Sequence, residues 1–255
     1  MRQLTRITVL ILLVTLLAAC GGDDSSSETE MESLPEARPL IDESATYIQN
    51  ANSIELEMNV SGYPVSVEMD SVEMLNELPL FFNYARGIFL APDRMTATIQ
   101  FSLDALSTTA QLVALDRDHY FKLDMLGNRW FRGELIAGFS PASLMAQPGG
   151  VASALASVTD LTMVGRENLD GLSVFHLNGT IQASAVYALT FGLIRTKEGI
   201  LNADIYIRAK NHQLAVLKLI EPPPDDDSDA ENTTWTITIV DYNQAVSIDA
   251  PVESE

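Results

Sequence analysis

Strict alternation of apolar and polar residues is the feature that most limits the folds open to this chain. Met95, Ala97, Ile99, Phe101 and Leu103 occupy every second position. Ile54, Leu56, Met58 and Val60 do the same, with Glu55, Glu57 and Asn59 between them. After the turn Ser61-Gly62-Tyr63-Pro64 the apolar face continues in Val65, Val67 and Met69. Leu201, Ala203, Ile205 and Ile207 alternate with Asn202, Asp204, Tyr206 and Arg208, and Trp235, Ile237 and Ile239 close the series. A period of two puts each apolar set on one face of a strand. One dry face and one wet face is the pattern of an antiparallel sheet. Turns at Ala91-Pro92-Asp93-Arg94, Asp116-Arg117-Asp118 and Asn211-His212 divide the runs into hairpins, and no long-period repeat overlies them.

The period changes in the stretch 139–181. Ser140 followed by Pro141 predicts a helix start, with a capping hydroxyl and a proline at the first turn. Pro148-Gly149-Gly150 breaks that turn. Val151, Ala154, Leu155 and Val158 then share one face of a second short helix, whose small residues permit close approach. We expect it to lie against the concave face of a curved sheet. Residues 161–164 read as a strand, 165–171 as a polar turn, and Ser173, Phe175, Leu177 and Ile181 as the return strand. An earlier helix is predicted over 36–50, with Ala37, Leu40, Ile41, Ser44, Tyr47 and Ile48 on one face; Pro39 is tolerated near its start. Residues 183–195 read as a helix or as a buried loop. Residues 72–84 do not alternate: Leu75, Leu78, Leu80, Phe81, Phe82 and Tyr84 crowd around Pro79. That reads either as a connection tucked into the core or as a mobile lip at a cavity mouth.

The first residues read as a targeting segment. Arg2 and Arg6 precede an apolar run over 7–16 that is short for a membrane span. Leu17-Ala18-Ala19-Cys20 then has the form of a bacterial lipobox, so residues 1–19 are expected to be a signal peptide and Cys20 a diacylglycerol-bearing N-terminus. With two or more acyl chains such an anchor is stable. Residues 20–35 form the acylated cysteine and a Gly/Asp/Ser/Glu-rich tether, 36–250 the folded domain, and 251–255 a frayed acidic tail. Cys20 is the only cysteine, which excludes an internal disulfide and a thiolate zinc cluster. The formal charge of −20 argues against nucleic acid and against a surface clinging to anionic headgroups.

Motifs for catalysis are missing. His119, His176 and His212 lie far apart, and there is no G-x-S-x-G elbow or phosphate loop. Asp225-Asp226-Asp227 reads as a calcium-binding run or a solvated loop. No catalytic residue, metal or cofactor is implied. Methionines on the dry faces, which adapt to irregular apolar partners, fill a core or line a cavity; small residues opposite them leave space.

The order of four segments resembles the LppX/LprAFG family of lipid-binding cell-envelope lipoproteins. They are Gly87–Met95 (GIFLAPDRM), His119–Trp130 (HYFKLDMLGNRW), the stretch 139–181, and 199–219. The resemblance implies a LolA/LolB-like α+β fold: a strongly curved antiparallel sheet, or half-barrel, wrapped around short helices with an apolar cavity for acyl chains. Its expected walls are Leu56, Met58, Val67, Met69, Leu75, Phe81 and Phe82, then Met95, Ala97, Ile99 and Phe101, and Met145, Ala154, Leu155 and Val158 on the helical side. The function it implies is carrying or presenting an acyl lipid or glycolipid at the extracytoplasmic face of the cell membrane, with the membrane itself and a membrane transporter as further partners. The alternatives are an envelope sensor of the same fold acting on a membrane partner and an enzyme on lipids or peptidoglycan, against which the missing motifs count.

Overall fold

The computed structural model describes residues 34–67, 79–103, 106–127, 129–135, 139–145, 149–196, 198–224 and 227–252. Along the chain the elements are α1 (Ala37–Gln49), β1 (Ser53–Ser61), β2 (Val65–Val67), β3 (Leu80–Leu90), β4 (Arg94–Leu103), β5 (Leu106–Leu115), β6 (Asp118–Leu123), β7 (Phe131–Arg132), α2 (Val151–Ala156), β8 (Thr159–Leu169), β9 (Leu172–Gln182), α3 (Ala183–Val186), β10 (Ile200–Arg208), β11 (Leu214–Glu221) and β12 (Thr233–Tyr242). Twelve strands make one sheet in the order β7-β6-β5-β4-β3-β1-β12-β11-β10-β9-β8, with β2 beside β3. Each pairing is antiparallel.

Two meanders, β3 to β7 and β8 to β12, meet through β1. Across the junction Leu56 pairs with Ile239, Met58 with Ile237 and Val60 with Trp235. The edges β7 and β8 do not pair, so the sheet stays open. The architecture is an α+β half-barrel, a curved antiparallel sheet around a few short helices. Register shifts in the β1–β12, β3–β4, β8–β9 and β10–β11 pairs each place an extra residue on one strand. Such bulges bend and twist the strands that carry them.

The alternation is realised as burial. Leu56 and Met58, then Met95, Ala97, Ile99 and Phe101, and Leu201, Ala203, Ile205 and Ile207 are buried on the inner face. The segment from β7 to β8 sinks into the same core through Leu135, Phe139, Leu144, Val151, Ala152, Ala154, Leu155 and Val158.

Several expectations change. The polar turn foreseen over 165–171 is strand as far as Leu169; the reversal is the two residues Asp170 and Gly171, at φ 50° and 89°. Both central residues of a type I′ hairpin turn need positive φ, and Asp-Gly suits it. β8 is an edge strand exposed along most of its length, so it lacks the apolar alternation that marks a half-buried strand. Residues 80–84 belong to β3 and not to a loop. A bulge at Asn83 breaks their alternation. The rest of that apolar stretch, 72–78, lies outside the described residues, as do the signal peptide, Cys20, most of the tether and the last three residues. In α1 the buried stripe is Leu40, Ile41, Ser44, Ala45 and Ile48; Tyr47, expected on it, is exposed, and Ala45 takes its place. Residues 183–195 are both things foreseen: one turn of helix, then an irregular segment burying Leu189 and Ile194. Ser140 makes no side-chain cap; its carbonyl accepts from the Ser143 hydroxyl at 2.6 Å in a 3-10 turn over Pro141–Leu144.

The turn after β1 is held by a close backbone approach. Gly62 has φ +85°, and a β-carbon there would stand 1.9 Å from the Asn232 carbonyl oxygen. Gly171 has a similar φ of +89° but open space around it. Gly171→Ala should therefore cost only the left-handed backbone penalty of about 1–2 kcal/mol. Gly62→Ala must also separate the β1–β2 turn from the start of β12 and should cost clearly more. Urea melts of the two variants decide it; equal losses would remove the close approach as a determinant.

Candidate functional site

The inner face of the sheet and the helices upon it form the candidate site. α1 packs against α2 and touches β8, β10 and β11. α2 has six residues, too short to persist in isolation. Its alanines let α1 come close, and Ala154 and Leu155 have no exposed surface. Arg38 of α1 fixes the far end: its guanidinium donates to the carbonyls of Ala156, at 3.3 Å, and Val158. The Ala156 carbonyl is one that a helix end leaves without a partner, where a cation is also favoured by the helix dipole, and Val158 follows the cap. Asp42, one turn along α1, steadies Arg38 at 3.9 Å.

On the other half of the sheet the 3-10 turn Pro141–Leu144 rests on β4. Phe139 beside it meets Phe191 edge-on at 5.3 Å and His119 at 6.3 Å. Small residues gather where β3 and β4 run together, at Ala85, Gly87 and Ala97. Gly87 stands opposite both Leu56 and Ala97. A β-carbon on Gly87 would lie 2.7 Å from the Thr96 carbonyl oxygen and 3.0 Å from the Ala97 methyl, so only glycine fits.

The structure brings most of the foreseen wall residues together. Leu56, Met58, Val67, Phe82, Met95, Ala97, Ile99, Phe101, Ala154, Leu155 and Val158 lie in one contiguous apolar cluster, with Met145 partly buried against it. Phe81 does not join them. It is half-buried opposite Ser66 and Ser102, on the other face from its neighbour Phe82. Met69, Leu75 and Cys20 lie outside the described residues.

Polar groups also reach this interior. The Ser44 hydroxyl is buried with no hydrogen-bond partner among the described residues. Glu221, fully buried on β11, accepts from the Thr196 N–H at 2.7 Å and from the Trp235 indole N–H at 3.4 Å, with Arg195 3.8 Å away. Arg195 donates onward to the Thr233 hydroxyl at 2.8 Å and the Pro222 carbonyl at 3.0 Å, and lies over the Tyr63 ring. Trp235 stacks on Phe82 with centroids 6.0 Å apart. Sequence reading missed this network, because Arg195 and Glu221 meet only through the tertiary fold. The missed Arg38 clamp spans a still longer separation.

Each histidine has its own partners. His119 contacts the Asp116 carbonyl, His176 sits between Glu167 (2.8 Å) and Asp204 (3.1 Å), and His212 reaches Glu43 (2.7 Å). Among the described residues no cluster of three His, Cys, Asp or Glu is arranged to hold a metal ion. Burial pushes the phenols of Tyr206 and Tyr242 up, with Asp204 and Glu167 adding to the effect at Tyr206. Among the described residues no helix is long and apolar enough to cross a membrane.

A profile of the LppX_LprAFG lipoprotein family matches residues 36–248. The chain is 26% identical over 243 residues to the lipoarabinomannan carrier protein LprG of Mycolicibacterium smegmatis, covering 94% of this chain and 93% of that one. It is 23% identical over 220 residues to the LprG of Mycobacterium tuberculosis, with 86% of each chain covered. Among solved structures, LprF from Mycobacterium bovis superposes with a TM-score of 0.62 at 18% identity, over 86% of this chain and 98% of that one. LppX from Mycobacterium tuberculosis does so with 0.55 at 20% identity, over 85% and 100%. At these identities the two structures establish the fold.

The clamp is open to test. Arg38→Ala should destabilise by about 1–2 kcal/mol, the range for a charged donor in a partly exposed place. It should also speed amide exchange over 155–158. Asp42→Ala removes only an exposed ion pair and should cost less than about 1 kcal/mol. If both variants lose the same stability and exchange alike, Arg38 does not hold α2.

Proposed function

This chain belongs to the LppX_LprAFG lipoprotein family, and from that membership we propose that it is a membrane-anchored carrier of acyl lipids or glycolipids. The acyl chains lie between the inner face of the sheet and the helices packed on it. The observation that carries this reading is the continuous apolar inner face with a patch of glycine and alanine on β3 and β4, covered by a short helix held at its end by one arginine. Most of the free energy comes from apolar area, about 25 cal/mol per Å² removed from water. The Ser44 hydroxyl supplies a polar contact for an ester or sugar oxygen, offsetting the cost of leaving it unpaired. The carrier names of relatives aligned over most of their length favour a glycolipid as cargo.

For the anchor we propose Cys20, acylated after removal of residues 1–19, with residues 21–35 as the tether between it and the domain 36–250. The protein works at the extracytoplasmic face of the cell membrane. A membrane transporter is the partner that supplies or receives the lipid. Cys20→Ser should abolish labelling by a fatty-acid analogue in cells, and persistent labelling would overturn this assignment.

The cargo reading is tested by filling the site. Ala97 keeps 6% of its surface exposed, whereas Ala154 keeps none. Ala97→Trp should fold with a loss of no more than about 1–3 kcal/mol, the usual cost of overpacking, and carry less lipid. Ala154→Trp should lose more stability. Denaturant melts, paired with mass spectrometry of extracted lipid, give both quantities. A full lipid load in both variants, or a wild type that takes up no lipid from envelope extract, would sink the carrier reading.

A further inference from the structure

We propose that the outer face of the half-barrel carries a second ligand site, for a single-chain amphiphile with one negative charge, such as a fatty carboxylate. A recess of about 440 Å³ opens there, lined by Leu169 and Leu172 beside the β8–β9 turn, Val216 and Lys218 of β11, Arg208 of β10 and Thr238 of β12. That volume falls within the ordinary range for small-ligand sites. The outer face of such a sheet is normally polar. Here Val174, Tyr206, Ala215 and Val216 form an apolar cluster separate from the inner core, with Leu169 packed on it.

The charges point to an anion. Arg208 donates through one terminal nitrogen to Gln213 Oε1 at 3.3 Å and through the other to the carbonyls of Ile239, at 2.9 Å, and Val240. Its third donor, the Nε–H, is buried and has no acceptor among the described residues. Lys218 lies over the Tyr206 ring at 5.2 Å, and neither cation is in an ion pair among the described residues. Two of the acids nearby are engaged elsewhere: Asp241 accepts from Gln244 and from the Tyr242 N–H, and Asp204 from His176. In a chain of 35 acidic and 15 basic residues, two cations outside any ion pair at one recess form a complementary seat for an anion, Asp241 feeling the Arg208 charge only at longer range. Asp170 also lines the recess, which limits the headgroup to a single charge. The carboxylate sits between Arg208 and Lys218, and the alkyl chain lies along Leu169, Leu172 and Val216.

The test uses the full-length protein in uncharged phosphatidylcholine vesicles, photolabelled with a diazirine-bearing fatty acid or the matching fatty alcohol. Peptide mapping should place the acid on residues 169–172 or 214–218, with the alcohol labelling there about tenfold less, as expected for one lost charge contact. Lys218→Gln, and independently Leu172→Trp, which fills the recess from its exposed rim, should each reduce this label several-fold. Labelling of peptides from β4 should stay unchanged in both, so the inner site is read separately. Equal labelling by acid and alcohol, labelling confined to other peptides, or outer labelling indifferent to both variants overturns the proposal.

Discussion

The pairing of β1 with β12 is the constraint on which the rest of the molecule depends. Nearly every other step along the sheet joins strands that are neighbours in sequence, and those hairpins close short loops. The β1–β12 pair brings Ile54 against Tyr242, so its loop-closure entropy is the largest in the fold. Its return is the burial of Met58, Trp235, Ile237 and Ile239. This one pairing turns two meanders into a continuous trough, and α1, immediately before β1, is thereby set across the second meander. The helix layer is in this sense a consequence of the junction.

An open sheet has two edges, each a template for unwanted pairing. β7 avoids the problem by being two residues long. β8 carries Asp160, Arg166 and Glu167 and is bent by two register shifts. The segment joining these edges supplies the cover of the trough, so the same residues that leave the barrel open also fill its inside. A closed barrel would have no edges.

What the sequence disclosed follows from where the physics is local. β1, β4, β10 and β12 were legible because one face of each is wet, which imprints period two on the chain. β8 was underestimated because nearly all of it is wet, and β3 because the bulge at Asn83 shifts its alternation by one residue. The same shift hid the fact that Phe81 and Phe82 face opposite ways. Tyr47 and Ala45 both sit near the margin of the α1 stripe, and only packing chooses between them. The inner apolar residues could be named in advance, and the structure gathers the described ones except Phe81. The polar groups that organise them could not: Arg38 meets its acceptors about 120 residues away, and Glu221 accepts from Thr196 and Trp235 on two separate segments. A long-range hydrogen bond leaves no periodic trace.

The antiparallel junction also decides how the protein bears a pull. Ser53 and Tyr242 lie at the same end of the β1–β12 ladder. Force applied between those two points would peel the ladder one hydrogen bond at a time, without shearing many together, and peeling is the weaker geometry. The chain beyond β12 stands in the way. Asn243 accepts from the Asn52 N–H at 2.7 Å, the Gln244 carbonyl from the Ser53 hydroxyl at 2.8 Å, and the Ile248 carbonyl from Arg94 at 3.2 Å. These contacts form a fastening outside the ladder, so that tension on the C-terminal end meets residues 243–248 before it reaches the seam of the half-barrel.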